Sequence, residues 1–411
     1  MNAASGECDR PAAAEPSSEF ANGSGDAKFA VSHPRGENAA SDVIRMAARC
    51  RAARSRESMG CPPRVPKAPL DLPRWADRST RPGETSRVRR YHTIRRARII
   101  AGPIRTGNPP RFTRRVGDCR TLTDSLAGML KRGLVGDGPI RELLAGGRAE
   151  PIERVAVERP DEIRRALERY LAAGAEWLST PTLRAHPLTW TGTEPAAEDV
   201  CRTAVAVARG AADAAGRPVI VAGQIGPCGR FLEIGEVNEQ ELADAVAEQA
   251  RWLAAAGADV LWLARFVDAR ELRIALAAVR ATCKLPVAAT MIFDSGPEGL
   301  DTAAGQSVSE ACVELRQADV AGCDCASAPA ALLLAGELRS QTGLPVLVRA
   351  NAGLPELDGQ RVTWSEDADA FAERAIELLR GGVAIVCGCC GATPEHVRAL
   401  QAAWTRSRRA T

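Results

Sequence analysis

Thirteen cysteines in a chain of 411 residues supply many soft ligand atoms and nucleophiles, and two short segments concentrate them. One is Gly322-Cys323-Asp324-Cys325-Ala326. The other is Val386-Cys387-Gly388-Cys389-Cys390-Gly391-Ala392-Thr393-Pro394. A free thiol ionises at about pH 8.5, so few such groups are nucleophilic near neutrality unless a metal or a positive field helps. Zinc does so: it binds thiolates tightly in a tetrahedron, and three protein thiolates leave a fourth position where an incoming thiol ionises yet stays nucleophilic. The reaction that such a centre favours is alkylation of a thiol. Two other readings of these cysteines stand beside it. Cysteine packs as a small apolar residue, which suits Cys201, Cys228, Cys283, Cys312, Cys323 and Cys387. A vicinal pair such as Cys389 and Cys390 could also cycle between thiol and disulfide.

No stretch of 18 apolar residues appears and no apolar segment follows a basic N-terminus, so a spanning helix and a secretory signal are not expected. The expected location is the cytoplasm, where cysteines serve as thiols, ligands or nucleophiles and not as a disulfide framework. The near-neutral total charge of +3 hides an asymmetry. Residues 1–120 carry 24 basic and 12 acidic side chains, the remainder 30 and 39, giving +12 and −9. Residues 1–120 show no sustained hydrophobic period and alternate Arg-rich with Pro-rich pieces, so they read as a disordered or wrongly included N-terminal extension, with Met129 the expected start. A basic arm for nucleic acid would carry interleaved aromatics, which are missing, and the −9 remainder repels phosphate. No nucleic-acid or membrane partner is expected.

From about residue 134 the pattern becomes eight short apolar runs, each followed by a segment of helical period. The predicted strands are 134–137, 176–180, 219–224, 260–266, 287–292, 319–325, 346–350 and 383–389. The predicted helices are 161–173, 196–215, 239–256, 269–282, 303–317, 329–341, 366–379 and 394–404. Apolar strands joined by crossing helices make parallel βαβ units, and eight of them in about 280 residues match a closed (β/α)8 TIM barrel over 121–411. The rival is an open doubly wound sheet, but Gly136-Asp137-Gly138-Pro139 after the first strand lacks the G-x-G-x-x-G phosphate fingerprint.

A barrel of this kind places its site at the C-terminal ends of the strands. There stand Cys325, ending the sixth predicted strand, and Cys389 and Cys390, ending the eighth. Neighbours on a strand face opposite ways, so Gly388 and Gly391 are expected to let the backbone turn and aim both thiols inward. Thr393 reads as the N-cap of the last helix, with Pro394 at its first position and His396 a structural residue.

These segments resemble the zinc-dependent homocysteine S-methyltransferases, a family that includes betaine-homocysteine methyltransferase and the homocysteine domain of cobalamin-dependent methionine synthase. Gly388-Cys389-Cys390-Gly391-Ala392-Thr393-Pro394-Glu395-His396-Val397 is similar to the family's G-G-C-C-G-T-x-P-x-H-I signature. Gly322-Cys323-Asp324-Cys325-Ala326-Ser327-Ala328-Pro329 resembles G-x-N-C-x-x-x-P, and Asn351-Ala352-Gly353-Leu354-Pro355 resembles N-A-G-x-P. The resemblance spans about residues 130–405. It implies that Cys325, Cys389 and Cys390 hold one zinc ion, that Asp137 and Gly138 help to hold the amino-acid part of homocysteine, and that Gly223 in Gly223-Gln224-Ile225-Gly226-Pro227 lets substrate approach the backbone.

The same comparison exposes departures. Where the family has L-W-x-E-T-M-x-D, with the acid receiving the substrate ammonium, this chain has Leu261-Trp262-Leu263-Ala264-Arg265-Phe266-Val267-Asp268. Thr180-Pro181-Thr182-Leu183 replaces T-N-T-F. Thiol activation is therefore expected to persist with altered recognition, and Arg265 becomes a candidate clamp for a substrate carboxylate. No motif for a bound organic cofactor and no D-x-H-x-x-G corrinoid segment is present, so the methyl donor is a small onium compound or comes from a separate corrinoid or reductase protein. Trp190, Trp262, Phe266 and Phe293 are the candidates for an aromatic cage around an onium. The expected activity is zinc-dependent methylation of homocysteine or a related thiol. The competing reading is a non-catalytic zinc-binding barrel serving as partner subunit or sensor.

Overall fold

The structure, a computed structural model, describes residues 119–144, 150–191, 194–296, 299–358 and 361–409. The expected disorder of the N-terminal extension falls on residues 1–118, outside those described. Among the described residues no helix is long and apolar enough to cross a membrane.

Eight parallel strands surround the core: β1 (Leu134–Val135), β2 (Trp177–Ser179), β3 (Ile220–Ile225), β4 (Val260–Phe266), β5 (Val287–Gly296), β7 (Val320–Ala326), β8 (Val346–Ala350) and β11 (Ile385–Gly388). Their order is β1-β11-β8-β7-β5-β4-β3-β2. The ring closes where Gly136 bridges Trp177, with Glu176 N–H donating to the Val135 carbonyl at 2.8 Å and Asp137 N–H to the Trp177 carbonyl at 2.9 Å. This is the (β/α)8 barrel expected from the alternating pattern.

The helices lie outside: α4 (Pro160–Ala172), α5 (Ala197–Ala214), α6 (Glu239–Ala255), α7 (Ala269–Thr282), α8 (Val308–Leu315), α9 (Ala328–Thr342), α10 (Ala368–Arg380) and α11 (Pro394–Arg409). Local chemistry fixes their starts. Asn238 and Ser307 form capping boxes with Glu241 and Glu310, while Asp268 and Asp367 accept first-turn N–H groups. Short helices α2 (Ile140–Leu143) and α3 (Ile152–Glu158) precede α4.

Two hairpins depart from the simple alternation. β6 (Gly299–Thr302) pairs back on a β5 that runs to Gly296, so α8 begins at Val308, five residues later than the Ala-rich 303–306 stretch suggests. β9 (Pro355–Asp358) pairs with β10 (Arg361–Trp364) above the end of β8.

The first helix, α1 (Cys119–Arg132), is also absent from the sequence reading. Its Leu126 and Met129 are buried with Leu134, Ile220, Val260, Val320 and Ile385, the residues near the strand starts that line the barrel interior. Met129, expected as the first residue, thus lies inside a helix that seals the end of the barrel opposite the cysteines.

Candidate metal and substrate site

Cys325 and the Cys389-Cys390 pair meet at the C-terminal end of the barrel because the backbone is irregular at both places. In β7 the register shifts between Cys323 and Ala326, and Cys325 itself has a φ of 55°. A non-glycine residue in the left-handed region is strained and marks a built feature. The bulge presents both Asp324 and Cys325 to the barrel mouth. Asn351 holds it, donating Nδ2–H to the Cys325 carbonyl at 3.0 Å and its own N–H to the Ala326 carbonyl at 3.1 Å.

After β11 the chain makes a tight turn in which Ala392 N–H donates to the Cys389 carbonyl at 3.0 Å. Cys390 and Gly391 are its central residues, and Gly391 has a φ of 80°, the left-handed third position of a type II turn. This is how two neighbouring thiols point the same way. Gly388 contributes differently from expectation: its φ is not positive, and a Cβ there would run into the Ala392 Cβ at 2.6 Å, so it permits close approach and not a turn.

The resulting cluster has Cys325 Sγ 3.2 Å from Cys389 Sγ and Cys389 Sγ 4.0 Å from Cys390 Sγ. All three sulfur atoms lie within 4.8 Å of one another. A zinc–sulfur bond of about 2.3 Å in a tetrahedron separates sulfurs by about 3.8 Å, close to this spacing, so the donor set fits one zinc ion. The Cys389 thiol is held well below the usual thiol range by hydrogen bonds from Cys325 and Cys390, against burial, with Arg349 and Arg265 helping. Burial pushes the Cys323 and Cys387 thiols up instead, and neither belongs to the cluster.

A polar shell surrounds the sulfurs. Asp137, at the end of β1, accepts from Ser179 N–H at 2.7 Å and Ser179 Oγ–H at 2.8 Å, and burial raises its carboxyl to about 7. Its carbonyl accepts Gly388 N–H at 2.9 Å, tying β1 to the cysteine turn. Gly138 follows with no room for a side chain: a Cβ would lie 2.7 Å from the Tyr170 hydroxyl and 3.0 Å from the Ala392 carbonyl. Gly223 does not join the site. Its open side faces Leu253 and Ala258 in the outer layer, and the neighbouring Gln224 faces inward with Nε2 buried and unpartnered.

Sequence reasoning missed Glu142 and Arg349. Glu142 accepts Gly391 N–H at 3.0 Å; solvent still reaches it, but the protein around it and then the charge of Cys389 raise its carboxyl to about 7. Arg349 lies inside the barrel, its guanidinium 5.2 Å from the Trp262 ring and its Nε 3.9 Å from Asp324 Oδ1. A charged residue in the run Val346-Leu347-Val348-Arg349-Ala350, on the same face as Leu347, was the available signal, because arginine is almost never fully buried without a purpose.

The proposed aromatic cage does not form from the four candidates. Trp262 is fully buried, with Nε1–H donating to Thr290 Oγ1 at 2.9 Å and its face occupied by Arg349. Phe266 and Phe293 are buried in the apolar core. Trp190 is partly buried, its Nε1–H donating to the Pro195 carbonyl at 2.7 Å. His396 is structural as expected: Nε2 reaches the Glu366 carbonyl at 3.1 Å, which leaves Nδ1 to accept from Thr393 N–H at 3.2 Å.

Residues 134–404 match the homocysteine S-methyltransferase family. The chain belongs to that family. It is 28% identical over 307 residues to a methionine synthase of Mycobacterium leprae and 27% identical over 285 residues to the homocysteine S-methyltransferase YbgG of Bacillus subtilis. These matches cover 69% and 63% of this chain; they cover 25% of the methionine synthase and 88% of YbgG. The chain therefore spans about a quarter of the mycobacterial protein. Among solved structures it is similar to the metallated form of the homocysteine methyltransferase MmuM from Escherichia coli, with a TM-score of 0.56 at 22% identity, covering 69% of this chain and 98% of that one. At that identity the likeness concerns the fold.

Proposed function

We propose that this homocysteine S-methyltransferase family member is a zinc-dependent enzyme that methylates the sulfur of a thiol acceptor, homocysteine or a related thiol. The observation that carries the reading is the convergence of Cys325, Cys389 and Cys390 at the barrel mouth, with every sulfur within 4.8 Å of the others. Zinc bound there supplies a Lewis acid that ionises a thiol at neutral pH while leaving it nucleophilic.

The chain's own residues do the rest. Asn351 and the Gly391 turn hold the sulfurs at fixed positions, so little reorganisation is needed on binding. Arg349 and Arg265 place positive charge beside the sulfurs and favour the ionised form of any thiol brought among them. The buried walls exclude water, which strengthens these interactions. In the transfer the acceptor gives its thiol proton to solvent and its sulfur forms the new bond to carbon. The donor–methyl bond breaks, and its electron pair leaves with the donor. The donor is a small onium compound or a methyl-carrying corrinoid.

Zinc content of the full chain purified under reducing conditions tests the reading, with Cys389→Ser as the comparison and Cys323→Ser as the control. About one zinc per chain in the protein and the control, lost together with thiol methylation in Cys389→Ser, is the expected result. Full activity after chelation, or in Cys389→Ser, would overturn it. Zinc binding with no methylation of any thiol would leave the non-catalytic barrel in its place.

A further inference from the structure

Two guanidinium groups at the mouth of the barrel have buried N–H donors without hydrogen-bond partners. Arg265 sits on a bulge in β4, where the register shifts between Leu263 and Phe266, with a φ of 66°. Its backbone N–H is taken by Asp324 Oδ2 at 2.7 Å, while its side-chain Nε is buried and has no partner. Arg349 is 2% exposed, and its Nε and Nη1 are likewise unpartnered. Buried guanidinium donors left open cost free energy unless something arrives to accept from them.

The nearby acids are partly engaged, although the buried Asp324 Oδ1 has no hydrogen bond. Asp324 serves Arg265 N–H and the Thr290 hydroxyl and faces Arg349. Asp137 is held twice by Ser179, and Glu142 by Gly391 N–H. Ala264, beside Arg265 and completely buried on the interior face, offers only a methyl group where the resemblance calls for an acid.

From this geometry, and resting on the thiol-methylating reading above, we infer that the acceptor is a thiol bearing a carboxylate and no ammonium group, its carboxylate received by Arg265. A guanidinium offers the paired N–H donors that a carboxylate fits, and the bulge fixes where they start. Arg349, partly neutralised by Asp324, adds field and no direct grip. Homocysteine would bring an ammonium beside the Arg265 and Arg349 guanidinium groups, where Ala264 offers it no acceptor.

Calorimetric binding of 4-sulfanylbutanoate, homocysteine and propane-1-thiol to the zinc-loaded full chain tests this. The first differs from homocysteine only in lacking the ammonium group, and the third lacks both charges. We expect 4-sulfanylbutanoate to bind at least about tenfold more tightly than either, the carboxylate advantage to fall by about tenfold in Arg265→Gln and to return in part in Arg265→Lys. Ala264→Glu should reverse the order in favour of homocysteine. Circular dichroism melting shows whether each variant is folded.

A second comparison needs neither zinc nor turnover. The metal-free chain should bind 4-(methylsulfanyl)butanoate more tightly than methionine. If zinc or methyl transfer is absent and this preference holds, the functional reading fails and the charge preference stands. Tighter binding of homocysteine or methionine, binding of neither thioether, or an unchanged carboxylate advantage in a folded Arg265→Gln would overturn the inference.

Discussion

The Asp324 carboxylate accepts the backbone N–H of Arg265 at 2.7 Å and thereby ties together two left-handed bulges, one at Arg265 in β4 and one at Cys325 in β7. Thr290 of the intervening β5 donates its hydroxyl to the same oxygen. One zinc-ligand candidate and one substrate-clamp candidate are thus positioned by a single buried side chain, and neither bulge can relax without the other noticing. The energetic cost of placing a carboxylate there is offset by Arg349, whose charge opposes the upward shift that burial imposes on Asp324.

Replacing Asp324 should therefore damage stability and the cysteine cluster together. Asp324→Ala removes the acceptor of Arg265 N–H and leaves the Arg349 guanidinium buried without the carboxylate it faces. Breaking a buried pair by deleting one partner costs about 3–5 kcal/mol. Urea unfolding should show a loss of that order, and the folded fraction should bind zinc more weakly because Cys325 is no longer held in the left-handed conformation. Unchanged zinc affinity in a folded Asp324→Ala would show that Asn351 alone maintains the Cys325 bulge.

Gly391 provides a sharper test of the turn that aligns Cys389 with Cys390. At a φ of 80° any side chain is strained, and a Cβ would collide with Trp364 of the β9–β10 hairpin. Gly229, with a φ of 69° and nothing within 4 Å of where its Cβ would be, shares the first problem without the second. Gly229→Ala should cost about 1 kcal/mol, the strain alone. Gly391→Ala should cost more and also lose zinc, since relief comes either by moving Trp364 or by opening the turn at Cys390. Melting temperature and zinc content of the two variants make the comparison.

The sequence carried the barrel because periodicity and connection length are properties of each βαβ unit. β4, β8 and α7 fall at the residues predicted for them. The elements it did not carry are those decided by contact at a distance. β6 exists because Gly299–Thr302 folds back on β5, which delays the start of α8 to the Ser307–Glu310 capping box. α1 carries apolar residues at helical spacing, Leu122, Leu126, Met129 and Leu130, but what its apolar face covers is decided only by the barrel floor. At the site the three cysteines were legible from residue type and flanking glycines, but their convergence depends on a positive φ at Cys325, which no residue-type rule predicts. Gly223 was placed in the site by its motif and leaves it by strand parity, since Ala222 and Gln224 take the inward positions.

The outer layer holds a titrating group whose effect runs against ordinary acid denaturation. Glu271 on α7 is 2% exposed, accepts Cys228 N–H at 2.6 Å, and is raised by burial from 4.5 to about 7. Between those values the folded state holds a proton that the unfolded state has released. The contribution of this group is therefore fully present below pH 4.5 and is lost as pH rises through about 7, by up to roughly 3 kcal/mol at 1.4 kcal/mol per unit. His186, lowered to about 4 by burial, acts oppositely, its neutral folded form losing stability as pH falls below 6.5. Comparing Glu271→Gln with the unmodified chain by urea unfolding at pH 5 and pH 8 cancels His186 and isolates the carboxyl. Glutamine keeps an acceptor for Cys228 and cannot ionise, so the variant should gain stability relative to the unmodified chain at pH 8 compared with pH 5. An equal difference at both values would mean that Glu271 stays ionised, satisfied by its hydrogen bonds despite its burial.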